Sequence, residues 1–197
     1  MSEKEYILTV TYKCNWFCEY CSEDTHNKPE VFLETVLEKI DLLHNKIVTL
    51  TGGEPGVLDK DSLEKIINKL LKNNCKIRVN TNGLFIERYP EFDKYIDKYI
   101  YHCSENLEGD FKRYNKDNID YVIVATDNNY NKMEEFLDNN KDIEFIILGA
   151  KRSKVKLSYK NAFKLYKIIK DKDNVNKESL SQIISLKQDN LVFMRGV

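Results

Sequence analysis

The chain has 197 residues, the length of one domain, and with 42% hydrophobic and 32% charged residues it can bury a sizeable core and stay in solution. No apolar stretch approaches the ~20 residues that span a bilayer, and the first residues lack the basic and apolar regions of a signal peptide. These features exclude a membrane-spanning chain and predict a cytoplasmic location, where thiols stay reduced.

Short β-rich runs alternate with helical patterns along the sequence. In chain order the predicted elements are a strand at 6–12, a helix at 31–44, a strand at 47–50, a helix at 63–71, strands at 76–80, 96–103 and 121–125, a helix at 133–137, a strand at 144–148 and a helix at 162–169. Asp61 or Ser62 is the expected N-cap of the second helix. Six strands that alternate with helices predict an α/β fold with a parallel sheet and right-handed crossovers.

Three stretches have weaker patterns. Residues 108–116 fit either a short helix or a loop, residues 179–186 fit a helix, and residues 191–194 fit a final strand or a plug. We expect one domain, with a core at 1–150 and a helical extension at 151–197 that packs on this core. In parallel α/β proteins the chemistry gathers at the carboxyl ends of the strands, so the site residues are sought there.

Three of the five cysteines follow the first predicted strand closely. Cys14, Cys18 and Cys21 have three and then two residues between them, while Cys75 and Cys103 stand alone. An odd number in this arrangement is not a disulfide framework and indicates a metal or cluster site with two incidental thiols. Three thiolates on one loop can bind three irons of a [4Fe–4S] cluster and leave the fourth iron open. The alternative is a zinc site with His26 as its fourth ligand, although zinc sites usually divide their ligands into two pairs.

The second predicted strand runs into Thr51-Gly52-Gly53-Glu54-Pro55. Both glycines can adopt a positive φ and let a ligand approach the backbone, and Glu54 offers an acceptor at the same edge of the sheet. Alone, this stretch is often only a turn. One βα unit after a three-cysteine loop, it is a specific combination.

The cysteine spacing, the aromatic residue before the third cysteine and the Gly-Gly-Glu-Pro stretch resemble the radical S-adenosylmethionine (SAM) superfamily over residues 5–150. The resemblance implies a partial (βα)6 barrel in which Cys14, Cys18 and Cys21 bind a [4Fe–4S] cluster and SAM chelates the open iron. It also implies a one-electron reductant, such as flavodoxin or ferredoxin, and a 5′-deoxyadenosyl radical that abstracts a substrate hydrogen. No cysteine follows Cys103, so we expect one cluster.

The resemblance assigns SAM contacts to individual positions of this chain. Tyr20 would touch the adenine, with plain loop packing as the alternative. Ser104 would contact the ribose or carboxylate, and Asn128 is a further candidate. The SAM amino group would be received by Gly52, Gly53 and Glu54.

Two features bear on the substrate. Residues 151–172 contain nine Lys and Arg and one acid, a charge of +8 on a chain whose remainder is −9. Lys151 and Arg152 follow the sixth predicted strand and are candidate ligands of a phosphate or carboxylate. Lys160, Lys164 and Lys167 share one stripe of a helix, opposite Phe163, Leu165 and Ile169; the stripe is either a track for a nucleic acid backbone or a solvated face.

The end of the fourth predicted strand adds a polar candidate. If Ser104 faces the cavity, His102 does too and Cys103 faces away, because alternate residues of a strand share a face. His102 is then a candidate substrate contact, with a structural histidine as the alternative. Further residues expected at the cavity are Tyr12, Asn80, Thr81 and Asn82.

These observations favour a radical SAM enzyme that acts on a nucleotide, nucleobase or nucleic acid. A peptide- or protein-modifying enzyme, including a glycyl-radical activase, is the alternative. A zinc-binding module without enzymatic activity is a more distant one, because it would make the Gly-Gly-Glu-Pro stretch a coincidence.

Overall fold

The computed structural model describes residues 5–21, 28–103, 107, 113–150, 156–176, 179 and 183. Its elements in chain order are β1 (Glu5–Thr11), α1 (Leu33–Ile40), β2 (Ile47–Gly52), α2 (Lys60–Lys72), β3 (Lys76–Thr81), α3 (Leu84–Arg88), β4 (Ile96–His102), β5 (Ile119–Ala125), α4 (Met133–Asn139), β6 (Phe145–Gly149) and α5 (Tyr159–Ile169). The strands follow one another in the sheet in the order β1-β2-β3-β4-β5-β6. All strand pairs with a recorded register are parallel, which confirms the predicted α/β fold class.

The described residues fall into two compact units. The first comprises residues 5–17, 28–101 and 116–119, and the second comprises residues 18–21 and the described residues from 102 onwards, apart from 116–119. The first unit therefore contains β1 to β3 and nearly all of β4, and the second contains β5, β6, α4 and α5.

The core of the first unit is aliphatic between the helices and the strands. Residues of α1, α2, β2 and β3 that share one face are almost completely buried: Val36, Ile40, Leu63, Ile66, Ile67, Leu70, Val48, Leu50, Ile77 and Val79. A cluster of edge-on and tilted rings, Phe85, Tyr89, Phe92 and Tyr99, extends this core below α3. Each such side chain contributes about 1.5–3 kcal/mol through its burial, so the end of β2 is held on a rigid base.

The core of the second unit lies between β5–β6 and the two helices α4 and α5. Ile123, Phe145, Leu137 and Leu165 are fully buried there. After α5 the chain returns to β6, where Val175 forms a parallel bridge with Phe145. This return supplies hydrogen-bond partners to a strand that would otherwise end the sheet. None of the helices in the described ranges combines the length and apolar character that a membrane crossing requires.

Several predicted helices have other boundaries in the structure, and one of them, predicted at 162–169, begins at Tyr159. The helix predicted at 31–44 ends at Ile40, because the apolar residues that follow do not continue its buried face: Leu42 is 82% exposed, and Asn45 has a left-handed φ of 53°. The helix predicted at 63–71 begins at Lys60 and is capped by Asp59 rather than by Asp61 or Ser62. The Asp59 carboxylate accepts a hydrogen bond from the Ser62 N–H at 2.9 Å, the usual N-cap geometry.

The short helix α3 was not predicted, because five residues are too few to show a helical period. It begins after Gly83, whose φ of 105° turns the chain out of β3. Of the uncertain stretches, residues 113–116 are not helical, and the rest of 108–116 lies outside the described residues. Ser179 and Ile183 are helical and buried, which agrees with the predicted helix at 179–186, while residues 191–194 lie outside the description.

Candidate functional site

The cysteine loop leaves the carboxyl end of β1. Cys14 and Cys18 are half-buried and Cys21 is exposed, and none of the three forms a disulfide. The Trp16 N–H points at the Cys14 sulfur at 3.4 Å, and the Cys21 N–H donates to the Cys18 carbonyl at 3.1 Å. One backbone N–H is therefore directed at the Cys14 sulfur, and a tight turn joins Cys18 to Cys21.

The Gly-Gly-Glu stretch at the end of β2 is bonded to the beginning of this loop. The Gly53 N–H donates to the Thr11 carbonyl at 2.8 Å, and the Glu54 N–H donates to the Lys13 carbonyl at 2.9 Å. A Cβ atom on Gly52 would lie 2.1 Å from the Thr11 oxygen, and one on Gly53 would lie 2.1 Å from the Lys13 oxygen. The glycines are thus required for the contact between the two chain segments. Only Gly52, with φ 120°, uses the left-handed region that was expected of both.

Glu54 is buried, with 1% of its surface exposed, and the chain uses both of its carboxylate oxygens. Oε1 accepts hydrogen bonds from the Gly56 N–H at 2.8 Å and the Thr81 hydroxyl at 2.9 Å, and Oε2 accepts one from the Asn82 N–H at 2.7 Å. Burial raises the pKa of this carboxyl, and the hydrogen bonds oppose the rise. The Glu54 carboxylate therefore joins the ends of β2 and β3.

The polar residues at the end of β3 face different surroundings. Thr81 is buried against Glu54 and does not line an open face, contrary to expectation. Asn80 donates to the Thr51 hydroxyl at 3.2 Å, and its Oδ1 is a buried acceptor without a hydrogen-bond partner among the described residues. Asn82 donates to the Asn15 side chain at 2.8 Å, so it contacts the cysteine loop. Tyr12 is half-buried, with the Lys28 ammonium 4.5 Å from its ring centre.

The remaining candidate SAM contacts are only partly described. Tyr20 is half-buried in the turn of the cysteine loop. Asn128, after β5, is exposed and donates to the Glu19 carboxylate of the loop at 2.9 Å. Ser104 lies outside the described residues, and so does His26, the alternative zinc ligand. The roles assigned to these residues stay predictions.

His102 and Cys103 differ in burial as alternation predicts. Cys103 is 1% exposed, and burial raises the pKa of its thiol to about 12. His102 is half-buried, and burial lowers the pKa of its imidazole to about 4. At neutral pH the ring is therefore uncharged and can both donate and accept a hydrogen bond. Cys75, the other single thiol, is buried and donates weakly to the Leu43 carbonyl.

The basic segment is described from Lys156 onwards, so Lys151 and Arg152 lie outside the description. In α5, Ala162, Leu165 and Ile169 are buried, while Lys160, Lys164 and Lys167 are exposed. Phe163 was expected on the apolar side, but it is 42% exposed and lies under the Lys167 ammonium. The exposed face of α5 therefore combines lysines with an aromatic ring.

The chemistry of the cysteine loop fits an iron–sulfur cluster. None of its three cysteines forms a disulfide, and the Trp16 N–H is aimed at the Cys14 sulfur, an arrangement typical of the sulfur atoms that hold a cluster. Among the described residues, no group of three or more His, Cys, Asp or Glu side chains is arranged to hold a metal ion.

Several curated proteins resemble this chain in sequence, and two of them bear on its function. One, from Methanococcus maripaludis, is named as a probable GTP 3′,8-cyclase and is 28% identical over 95 residues, 45% of this chain and 31% of that protein. Another, from Methanocaldococcus jannaschii, is named as a glycyl-radical enzyme activating enzyme and is 27% identical over 147 residues, 73% of this chain and 52% of that protein. The chain thus spans about a third to a half of the length of these relatives.

The solved structure of native anSMEcpe with bound AdoMet and Cp18Cys peptide has a similar fold. Its TM-score is 0.55 at 18% sequence identity, over 83% of this chain and 58% of that one. At this identity the likeness concerns the fold alone, and it confirms the predicted partial barrel.

The model of the Radical SAM superfamily matches residues 8–124, more than half of the chain. The match includes the cysteine loop and the Gly-Gly-Glu-Pro stretch from which the resemblance was inferred. It confirms the predicted enzyme class and the predicted cofactors, a [4Fe–4S] cluster and SAM. This chain belongs to the radical SAM superfamily.

Proposed function

We propose that this chain binds a [4Fe–4S] cluster through Cys14, Cys18 and Cys21 and acts with SAM on a nucleotide, nucleobase or nucleic acid. The observation that carries the proposal is the pair of bonds from Gly53 and Glu54 to Thr11 and Lys13. These bonds fix the position where the cysteine loop begins, on a chain that belongs to the family. When bound, the two cofactors supply reductive cleavage of SAM to methionine and a 5′-deoxyadenosyl radical that abstracts a substrate hydrogen.

The chain's own residues would position these groups and exclude water. The cysteine thiolates would hold three irons and leave one open. Tyr20, Gly52, Gly53, Ser104 and Asn128 are the proposed SAM contacts, the glycines through the backbone that they leave uncovered. A flavodoxin or ferredoxin in a reducing cytoplasm would supply the electron.

The proposed substrate class rests on the basic segment. The exposed lysines of α5 and the exposed ring of Phe163 form a surface that suits phosphate and base contacts. Lys151 and Arg152 are proposed to bind a phosphate near the reacting end, and His102 is proposed as a neutral hydrogen-bonding contact. The relative named as a GTP 3′,8-cyclase supports a nucleotide.

A peptide or protein substrate is the second candidate. It is favoured by the relative named as a glycyl-radical enzyme activating enzyme. Because the chain spans about half of that protein, the relative does not decide between the two classes.

Anaerobic reconstitution tests the cofactor part of the proposal. We expect about four irons per chain, and none after Cys14→Ala, Cys18→Ala or Cys21→Ala. Cys75→Ala and Cys103→Ala are the matched controls and should keep the iron. A wild-type chain that binds one zinc and no iron would refute the cluster and favour the zinc module.

Salt dependence tests the substrate part. Binding of a nucleotide polymer should weaken as the salt concentration rises, because about 0.7–0.9 counterions are released per phosphate contact. A variant with three substitutions, Lys160→Ala, Lys164→Ala and Lys167→Ala, loses three such contacts. It should therefore reduce the slope of log K against log salt concentration by about 2 to 3. A mononucleotide should depend on Lys151 and Arg152 instead. If none of the five lysine and arginine substitutions changes substrate-dependent 5′-deoxyadenosine formation, the peptide becomes the leading substrate.

A further inference from the structure

The surroundings of Cys14 include a side chain from the end of β3. The Asn82 Nδ2 lies 2.8 Å from the Asn15 Oδ1 and 4.0 Å from the Cys14 sulfur. The second distance is at the long limit for a hydrogen bond to sulfur, and the Trp16 N–H approaches the same atom at 3.4 Å. Two N–H groups from different parts of the chain therefore point at the first sulfur of the loop.

The orientation of the Asn82 amide is fixed by its other bonds. Its Oδ1 accepts from the Leu84 N–H at 3.2 Å, so its NH₂ group must face the cysteine loop. Its backbone N–H donates to the buried Glu54 carboxylate at 2.7 Å. Glu54 in turn is fixed by the Gly56 N–H and the Thr81 hydroxyl. Asn82 therefore connects the buried Glu54 carboxylate to the Cys14 sulfur.

We propose that Asn82 is a positioning residue for the cluster ligand Cys14, and that Glu54 holds Asn82 in place. The inference rests on the proposed function, because it concerns the cluster that Cys14 would hold. It gives the Glu54 side chain a structural role in place of the SAM contact that the resemblance implies. Both carboxylate oxygens are already engaged by the chain, which leaves the SAM amino group to the backbone of this stretch.

The proposed contact has a consequence for the cluster's reduction potential. An N–H donor at a cluster thiolate stabilises the reduced state, which carries the additional negative charge, and so raises the potential. Loss of the Asn82 donor should therefore make the cluster harder to reduce. A residue that merely fills space would not shift the potential in this way.

The first experiment compares reconstituted variants by EPR-monitored redox titration and by iron content. Asn82→Asp keeps the acceptor for Leu84 but replaces the donor with oxygen, and Asn82→Ala removes both. We expect a more negative potential in each, with about a tenfold lower ratio of reduced to oxidised cluster at a fixed applied potential, which is about 59 mV for one electron. Asn118→Ala, which removes an amide bond to the Ile96 carbonyl, is the control and should leave the potential unchanged. Wild-type potentials in both Asn82 variants would overturn the inference.

The second experiment uses the apo chain and does not depend on cluster assembly. Alkylation of each cysteine is followed by mass spectrometry, and Asn82→Asp should change the rate at Cys14 by about fivefold relative to Cys21, the factor expected for loss of one hydrogen bond. An unchanged Cys14 rate would overturn the inference even if the variants cannot be reconstituted. If the wild-type chain takes up no iron, the proposed function fails, while this measurement still tests the contact.

Discussion

Glu54 and His102 are ionisable side chains at the carboxyl ends of two strands, and the protein holds them in different ways. Burial raises the pKa of Glu54 and lowers the pKa of His102 to about 4, so burial favours the neutral form of both. Glu54 receives three hydrogen bonds from the chain. His102 has no recorded hydrogen bond within the described residues, and its shift comes from burial alone.

The two pKa shifts have opposite effects on stability. Glu54 titrates at a higher pH in the folded chain, so its contribution to stability falls as pH rises from about 4.5 through that higher pKa. His102 binds its proton less readily when folded, so its contribution is lost as pH falls from about 6.5 to about 4. A carboxylate held by three donors is part of the scaffold, and this supports a structural role for Glu54.

Removal of the Glu54 carboxylate should have the largest effect. Glu54→Ala leaves three donors without an acceptor, and we expect a loss of about 3 kcal/mol or more in the free energy of unfolding of the apo chain. Glu54→Gln is the matched variant and should lose less, because its amide oxygen still accepts hydrogen bonds. Urea denaturation at pH 7 measures both. A Glu54→Ala variant as stable as the wild type would show that the Glu54 hydrogen bonds do not stabilise the fold. The difference proposed between Glu54 and His102 would then be wrong.

His102→Gln should change the pH dependence of stability rather than its value at neutral pH. Between pH 6.5 and pH 4 the wild-type chain should lose up to about 3 kcal/mol more than the variant, because only in the wild type must a protonated imidazole of the unfolded chain release its proton on folding. Urea denaturation across this range gives the difference. Parallel curves for the two proteins would show that His102 is not buried as described.

The smallest effect isolates one of the bonds to Glu54. The Thr81 hydroxyl accepts a hydrogen bond from the Gly83 N–H and donates one to Glu54. The Thr126 hydroxyl accepts a hydrogen bond from the N–H two residues later in the same way, but among the described residues it has no bond to a carboxylate. Thr81→Val should therefore cost about 1.5–3 kcal/mol more than the control Thr126→Val, the range for a hydrogen bond to a charged group. Equal losses in thermal or urea denaturation would mean that the hydroxyl bond to Glu54 adds nothing.

Sequence patterns located the strands because each has a local cause. β1, β3 and β6 are short runs of apolar and β-branched residues whose ends lie within one residue of the prediction. The helix ends were less predictable: α1 ends at Ile40 although apolar residues continue, because burial and the backbone turn at Asn45 decide its length. The exposure of Phe163 was missed for the same reason, since periodicity alone does not show which neighbours cover a helix.

The sequence by itself determined the family, the fold class and the identity of the proposed cluster ligands. Three cysteines and Gly-Gly-Glu-Pro are local patterns, and their spacing along the chain is sufficient to recognise them. Only the tertiary structure decided that Glu54 accepts hydrogen bonds from Gly56, Thr81 and Asn82, and that Asn82 faces the cysteine loop. These contacts join residues up to 67 positions apart in the chain. Because β2 and β3 are adjacent in the sheet, folding brings these donors to one buried carboxylate. No local pattern in the sequence indicates that these residues are in contact.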